Sequence, residues 1–267
     1  MTLQQKTEQL LLKYNLTPQR SHEQHFLIDD AVVKTILKAA ALKKNDSILE
    51  IGAGLGIITA LIAAKVKQVI AIEIDEKLKP VLANLPKNVE VLFGNAIPIL
   101  PTQKEYTKVV ANIPYQISEP LFHALCLSRN LTLAVLTVPK KFALQAAQHP
   151  IFSAFLTIEI VQDVPKESFL PMPNVVSAVI TAMPKKELDD SDFIRQKLYL
   201  QRDKRLKNGL RDCVIDYHLF KGKKLTKKEA LKMIDAMKIA SSFLEKTIAR
   251  MPLGMYEEIA QKIKRSI

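Results

Sequence analysis

The sequence contains very little cysteine, which bears on how the fold is stabilised. Its 267 residues include two, Cys126 and Cys213, and these form no spaced cluster of the kind that binds a metal. A chain of this length can bury a sizeable hydrophobic core without disulfides or structural metals. We therefore expect two reduced thiols and no bound metal ion.

Long apolar runs are also missing, as are internal repeats and low-complexity tracts. No apolar run approaches the roughly 18 residues that a membrane-spanning helix needs. The first residues, MTLQQKTEQLLLKYN, do not follow the basic-then-apolar order of a secretory signal. We expect a soluble, cytoplasmic protein.

Acidic residues are too few to balance the basic ones. The 27 Asp and Glu residues face 39 Lys and Arg residues, which gives a formal net charge of +12. Clustered cations release counterions when they meet phosphates, so this excess favours a polyanionic partner. Residues 186–267 hold 20 of the basic and 12 of the acidic residues, and therefore most of the excess.

Apolar segments of strand length alternate with helical stretches through much of the chain. Short apolar strands separated by helices predict a parallel sheet with both faces covered. Two further segments, residues 155–169 and 175–183, have no helix between them and predict an antiparallel edge. The predicted parallel strands are residues 47–51, 68–74, 89–94, 108–113 and 131–138.

The character of the sequence changes after Pro184. A charged connector, KKELDDSD, is followed by mostly helical patterns that end in SSFLEKTIARMPLGMYEEIAQKIKRSI. We therefore predict an α/β domain at residues 1–185 and a small α-helical domain at residues 186–267.

A glycine-rich turn follows the first of these strands. Gly52, Gly54 and Gly56 lie between the strand and a helix. Glycines there let the backbone turn tightly and approach a ligand, and the helix N-terminus adds exposed N–H groups. The turn by itself fits either a nucleotide site or an ordinary strand-to-helix connection.

The next two strands end in polar side chains that suit a nucleoside. Glu73 lies about twenty residues beyond the glycines, where a carboxylate accepts ribose hydroxyls, although it could instead cap the following helix. The pattern G-x-G-x-G preceded by Glu50, rather than G-x-G-x-x-G, suits a nucleoside ligand without a pyrophosphate and indicates S-adenosylmethionine. Asn95 is then placed to accept a hydrogen bond from the adenine amine.

The fourth strand ends in Asn112-Ile113-Pro114-Tyr115, at the edge where an open parallel sheet binds its ligands. An aromatic amine such as adenine N6 is a poor nucleophile, because its lone pair is delocalised into the ring. The Asn112 side-chain oxygen and a backbone carbonyl next to Pro114 could accept its two N–H bonds and direct the lone pair at a methyl sulfonium. Tyr115 offers a stacking surface for the base. The alternative is a turn that simply ends the strand.

In this order, the motifs resemble those of the KsgA-type ribosomal RNA adenine N6,N6-dimethyltransferases. The similarity extends from about residue 20 to the end of the chain. Four more stretches contribute to it: Gln24-His25-Phe26-Leu27-Ile28-Asp29, Ser168-Phe169-Leu170-Pro171-Met172-Pro173, the basic run at 201–208, and Arg250-Met251-Pro252.

The resemblance implies a Rossmann-like class I methyltransferase sheet with a helical RNA-binding C-terminal domain. It implies S-adenosylmethionine-dependent dimethylation of two adjacent adenines near the 3′ end of small-subunit ribosomal RNA, during small-subunit biogenesis, by a monomer. Phe169 is expected to sandwich the target base against Tyr115. Cofactor contacts are expected from Gln24, His25, Leu27, Gly52, Gly54, Glu73, Asn95 and Asn112.

This chain departs from the family pattern at several positions. Asn95 stands where the family usually has Asp, and Glu23 replaces the glycine commonly found before Gln24. Two alternatives remain open. One is a large-subunit RNA methylase of the erythromycin-resistance type, and the other is a non-catalytic RNA-binding assembly factor.

Overall fold

Seven strands form one mixed sheet in the computed structural model, which describes residues 1–265. The order across the sheet is β4-β3-β2-β5-β6-β9-β7, and β1 pairs with β8 in a separate two-stranded sheet. The strands are β1 (Phe26–Leu27), β2 (Ser47–Ile51), β3 (Gln68–Glu73), β4 (Val89–Phe93), β5 (Lys108–Asn112), β6 (Leu133–Pro139), β7 (Leu156–Val164), β8 (Phe169–Leu170) and β9 (Ser177–Pro184).

Helices connect the strands and make up most of the chain after β9. They are α1 (Leu3–Lys13), α2 (Asp30–Ala39), α3 (Ile57–Ala63), α4 (Lys79–Leu82), α5 (Ala96–Ile99), α6 (Ser118–Leu127), α7 (Lys140–Gln148), α8 (Phe152–Phe155), α9 (Asp190–Leu200), α10 (Leu206–Phe220), α11 (Lys227–Ala236), α12 (Ser241–Leu244) and α13 (Gly254–Lys264). None of the helices in the described residues is both long enough and apolar enough to cross a membrane.

The predicted parallel sheet is confirmed. Neighbouring strands from β4 through β6 run parallel, and β9 joins β6 antiparallel. The central strands are almost entirely buried because helices cover them, which explains their continuous apolar runs. All their carboxyl ends therefore lie along one edge of the sheet.

Two features near the start of the chain were not predicted. Helix α1 begins with a capping box, in which Thr2 and Gln5 satisfy each other's backbone N–H groups. The pair β1 and β8 brings Leu27 opposite Phe169, so that the segment before α2 is held beside the segment before β9.

The chain divides into two compact units. The first comprises residues 1–147 and 157–184, and the second comprises residues 148–156 and the chain from Lys185 onward. In the second unit α9 packs against α8, α10 and α13. Arg195 on α9 is buried there, and it donates hydrogen bonds to Asp192 and to the Pro150 carbonyl. Cofactor binding by the first domain and RNA binding by the second remain predictions.

A buried ion pair holds the amino end of β5. Lys108 Nζ lies 2.7 Å from Asp46 Oδ2 and 2.7 Å from the Ala41 carbonyl oxygen. The two charged side chains are only 11% and 14% exposed, so little water can replace either partner. Removing one partner of such a pair is costly, because the other charge stays buried.

We expect Asp46→Ala to lower the free energy of unfolding by about 3 kcal/mol, measured by urea denaturation. The double variant Asp46→Ala/Lys108→Met should recover part of that loss, because no unpaired charge is left. Glu76→Ala breaks the exposed pair with Lys79 and is the control, with an expected loss below about 1 kcal/mol. Equal losses for the single and double variants would contradict the assignment.

Candidate functional site

A pocket opens in the first unit at the carboxyl edge of the parallel strands. The loops after β2, β3, β4 and β5 each contribute to its wall, together with residues 21–26, which we call the entry segment. Ligands of open α/β sheets bind at this edge. The predicted site residues that line the pocket are Gln24, His25, Gly52, Gly54, Glu73, Asn95, Asn112, Pro114, Tyr115 and Phe169.

Leu27 is the predicted site residue that does not line this pocket. It is 5% exposed and contributes to a smaller cavity behind the glycine turn. Its side chain belongs to the hydrophobic core, with Phe169 paired opposite it. A cofactor contact at Leu27 remains a prediction.

The glycine turn needs glycine for two reasons. Gly52 and Gly54 have φ angles of +81° and +56°, which side-chain-bearing residues rarely adopt. A Cβ atom at Gly52 would also lie 3.3 Å from the Asn112 carbonyl oxygen. The turn therefore brings the ends of β2 and β5 into close contact and leaves a cradle open to the pocket.

The Glu73 carboxylate organises the loops around this cradle. Its Oε2 accepts the Gly54 N–H at 2.7 Å, and its Oε1 accepts the N–H groups of Ile74 at 2.8 Å and Asp75 at 2.9 Å. A carboxylate has about four lone-pair sites, so roughly one remains for a ligand hydroxyl. Burial raises the pKa of Glu73, whereas the three N–H bonds lower it. The helix-capping role considered for Glu73 belongs to Asp75, which accepts the Lys77 N–H.

The entry segment is tied to the same loops. Gln24 donates from Nε2 to Asp75 Oδ2 at 2.8 Å, and its Oε1 accepts the Gln19 N–H at 2.8 Å. His25 Nδ1 lies 2.7 Å from the Pro171 carbonyl oxygen, so Nδ1 carries the hydrogen. Both side chains hold the segment in place, which leaves its backbone to face a ligand.

The orientation of the Asn112 amide follows from its neighbour. Its Nδ2 lies 2.9 Å from the His25 carbonyl oxygen. That oxygen can only accept, so the nearby end of the amide must be the NH₂ group. Oδ1 is thereby the end available to a ligand in the pocket, as a methyl-acceptor site for an amine requires.

Tyr115 and Phe169 differ in how they meet the pocket. The Tyr115 hydroxyl lies 2.8 Å from Ser177 Oγ, and its ring stacks on His25 with centroids 6.2 Å apart and planes inclined by 23°. Burial raises the pKa of Tyr115. Phe169 is only 4% exposed and packs into the hydrophobic core. A base would therefore contact Tyr115 more fully than Phe169.

The departures from the family pattern at Asn95 and Glu23 have structural roles. Asn95 Oδ1 accepts the Ile97 N–H at 2.9 Å and so caps α5. Glu23 has a φ angle of +48°, where glycine is favoured, and its Oε2 accepts the Gln116 N–H at 3.2 Å. Glu instead of glycine at position 23 thus costs about 1 kcal/mol of backbone strain. It also adds a hydrogen bond between the entry segment and the loop after β5.

A buried polar group that was not among the predicted site residues lies behind the glycine turn. Glu50 on β2 is 3% exposed, and its Oε2 has no hydrogen-bond partner within the described part of the chain. Burial raises the pKa of Glu50 to about 8, the Thr59 hydroxyl lowers it, and the charge of Glu73 adds to the increase. Thr7 on α1 lines the same small cavity, with its hydroxyl also unpartnered. The only sequence signal was a lone acidic residue in an apolar strand.

Among residues 1–265 no group of three or more His, Cys, Asp or Glu side chains could hold a metal ion. Cys126 and Cys213 are both buried and unpaired. The groups that line the pocket are mainly amide, carbonyl, carboxylate and aromatic groups.

Comparison with known proteins identifies the relatives of this chain. A model of the ribosomal RNA adenine dimethylase family matches residues 15–247. A protein named probable ribosomal RNA small subunit methyltransferase A, from Methanosarcina mazei, is 36% identical over 220 residues, which cover 75% of this chain and 80% of that protein. A ribosomal RNA small subunit methyltransferase A from Oceanobacillus iheyensis is 32% identical over 234 residues, covering 77% of this chain and 80% of that protein.

Solved structures agree with this result. A dimethyladenosine transferase from Plasmodium falciparum superimposes with a TM-score of 0.58 and 25% identity, over 90% of this chain and 98% of that chain. The 23S rRNA methyltransferase ErmE gives 0.57 and 18% identity, over 90% of this chain and 99% of that chain, which shows a shared fold. The predicted class I methyltransferase fold with a helical C-terminal region is confirmed.

Glu50 makes stability depend on pH. Its pKa of about 8 in the folded protein lies above the ordinary value of 4.5, so the folded state holds the proton more tightly than the unfolded state. The contribution of this proton to the free energy of unfolding is complete below pH 4.5 and is lost as the pH rises towards about 8. As the pH rises from 5 to 8, the free energy of unfolding of wild type should therefore fall relative to that of Glu50→Gln. The expected change in the difference between them is on the order of 3 kcal/mol.

Urea denaturation at both pH values measures this difference. Glu90→Gln changes an exposed carboxylate on β4 and should leave the pH dependence as in wild type. An equal advantage of Glu50→Gln at both pH values would show that Glu50 titrates normally.

Proposed function

Because this chain belongs to the ribosomal RNA adenine dimethylase family, we propose that it methylates adenine N6 atoms of small-subunit ribosomal RNA with S-adenosylmethionine. The names of its relatives support the small subunit as the substrate. Two adjacent adenines near the 3′ end of that RNA are the proposed targets. The observation that carries the proposal is the Asn112 amide, whose oxygen is turned to the pocket by the His25 carbonyl.

The residues of the pocket fit S-adenosylmethionine. Gly52 and Gly54 line the pocket without side chains, which leaves room for a ligand to approach the backbone. Glu73 has a remaining acceptor site for a ribose hydroxyl, and Asn95 lies at the pocket wall for the adenine. The backbone of Gln24 and His25 is proposed to hold the methionine part. When bound, this cofactor supplies an electrophilic methyl group on a sulfonium.

The acceptor side of the pocket makes the adenine amine more reactive. Asn112 Oδ1 accepts one N6–H bond, and a backbone carbonyl next to Pro114 accepts the other. The Pro114 carbonyl already accepts the Ile117 N–H at 3.2 Å, so the Ile113 carbonyl is the better candidate. With both hydrogens held by oxygens, the nitrogen lone pair is directed out of the ring plane. The proton lost on methylation can leave to solvent, so no strong base is needed.

Tyr115 holds the base for this reaction. Its ring gives a stacking surface, and a stacked base gains about 1–3 kcal/mol. The hydrogen bond to Ser177 fixes the ring position. Phe169, mostly in the core, closes the other side with the part of its ring that lines the pocket. The basic second unit is proposed to bind the RNA backbone.

The direct test is incubation of the protein with labelled S-adenosylmethionine and undermethylated small ribosomal subunits, followed by mapping of the modified bases. Two adjacent dimethylated adenines near the 3′ end are expected. Modification of large-subunit RNA instead would show an erythromycin-resistance type of activity. A protein that binds the subunit but neither binds cofactor in calorimetry nor methylates would be an assembly factor.

Asn112→Ala should lower kcat by about 100-fold or more, since it removes an oriented acceptor of the transition state. Cofactor affinity in calorimetry should change little, because the amide orients the amine. Asn112→Asp should also fail, because a carboxylate cannot donate to the His25 carbonyl. Gln116→Ala, at an exposed neighbour that also lines the pocket, is the control. Wild-type turnover by Asn112→Ala would overturn the acceptor assignment.

Asn95→Asp should tighten S-adenosylmethionine several-fold. A charged acceptor strengthens the hydrogen bond from the adenine amine by about 1 kcal/mol. Asp is also a good N-cap, so the bond to the Ile97 N–H is kept. Calorimetry gives the affinity, and Asn95→Ala, which loses both roles, is the comparison. Unchanged or weaker binding by Asn95→Asp would remove Asn95 from the adenine site.

A further inference from the structure

Lysines precede every one of the four parallel strands β2 to β5. Because these strands run in the same direction, their amino ends lie along one edge of the sheet, opposite the pocket. The strands are about five residues long, so the two edges are roughly 17 Å apart. We call these residues the amino-edge lysines: Lys43, Lys44, Lys65, Lys67, Lys87 and Lys104.

All the amino-edge lysines are exposed. In residues 1–265 none of them takes part in an ion pair within 4.0 Å. The nearest acidic residue in sequence to Lys43 and Lys44 is Asp46, and its carboxylate is held by Lys108 at 2.7 Å. Glu90 and Glu105 are the other carboxylates near these strand starts, and the amino-edge lysines outnumber them. The edge therefore has an uncompensated positive charge.

The loops that bear these lysines are held in fixed positions. The Lys67 N–H donates to the Asp46 carbonyl at 3.0 Å, and the Val69 N–H donates to the Asn88 carbonyl at 2.9 Å. On the other side, the Thr107 N–H donates to the Ser47 carbonyl at 3.1 Å. These bonds connect the starts of all four strands. The like charges are thus kept together by the fold instead of moving apart.

The spacing of this edge suits a phosphate backbone. Four neighbouring strands about 4.8 Å apart place the lysines along a row of about 14 Å. A nucleic-acid helix presents phosphates at a comparable density, and proteins recognise double-stranded RNA mainly through its shape and backbone. A discrete acidic partner would offer fewer charges over the same length. Charge complementarity therefore favours RNA.

We propose that the amino-edge lysines form a second RNA-binding surface, which contacts the backbone of a ribosomal RNA helix on the side of the first unit away from the pocket. This inference rests on the proposed function for its RNA substrate. The surface adds affinity and takes no part in the chemistry. Only a substrate large enough to reach both edges of the sheet benefits from it, so a short adenine-containing hairpin does not.

The test compares two triple variants of the full-length protein. Lys65→Gln/Lys67→Gln/Lys87→Gln removes three charges from the amino edge. Lys6→Gln/Lys13→Gln/Lys77→Gln removes three charges from α1 and from the loop after β3 and is the matched control. Binding to undermethylated small subunits and to naked small-subunit RNA is measured across a series of salt concentrations. Cofactor affinity is measured as well, together with methylation kinetics on subunits and on a short adenine-containing hairpin.

The amino-edge variant should bind small subunits about tenfold more weakly, with a salt slope lower by about 2–3, as expected for loss of three phosphate contacts. Its KM for subunits should rise, while kcat, cofactor affinity and activity on a short hairpin stay at wild-type values. The control should change less than about twofold. These results would support the second surface.

Three outcomes would overturn it. Equal behaviour of both triple variants would show that only overall charge matters. Normal binding of naked small-subunit RNA combined with weak binding of the subunit would indicate a ribosomal protein as the partner. A loss of kcat would indicate an effect on the pocket. Binding is measured independently of methylation. If the proposed function is wrong, wild type will not methylate the subunits, but the binding of the two triple variants can still be compared.

Discussion

The Glu73 carboxylate is the interaction on which the pocket depends. By accepting three backbone N–H groups it joins the glycine turn after β2 to the loop after β3. That loop in turn positions Asp75 to receive Gln24, which holds the entry segment. The entry segment then presents the His25 carbonyl to Asn112 at the end of β5. A single series of hydrogen bonds therefore links both proposed halves of the site, for cofactor and for acceptor base.

This arrangement places two carboxyl groups close together in a region with little water. Glu50 lies behind the glycine turn and Glu73 in front of it, and burial raises the pKa of both. Glu73 is stabilised in its charged form by backbone N–H groups, whereas Glu50 has an oxygen without a hydrogen-bond partner among residues 1–265. The protein thus accepts an energetic cost beside its ligand pocket, as functional sites often do. A cationic ligand in that pocket would relieve part of the repulsion.

Charge and chemistry are separated in the first unit. The carboxyl edge of the sheet gathers neutral acceptors, aromatic rings and several acidic groups, while the amino edge gathers exposed lysines. The same parallel topology produces both, since it collects every strand end of one kind on one side. Glu23, whose backbone is strained, belongs to the carboxyl edge. Its side chain connects the entry segment to the loop after β5, and both of these line the pocket.

The sequence by itself determined the strands, their parallel order along the chain, and the residues at their carboxyl ends. Apolar periodicity and motif spacing are local properties, and a parallel sheet necessarily brings successive carboxyl ends to one edge, so Gly52, Glu73, Asn95 and Asn112 could be placed together. Tertiary structure decided which atom of each side chain faces the pocket. The Asn112 amide is oriented by a carbonyl 87 residues away, the Asn95 oxygen is shared with a helix cap, and Glu50 is isolated by helices that pack over its strand. These outcomes depend on contacts between distant segments, which local periodicity does not encode.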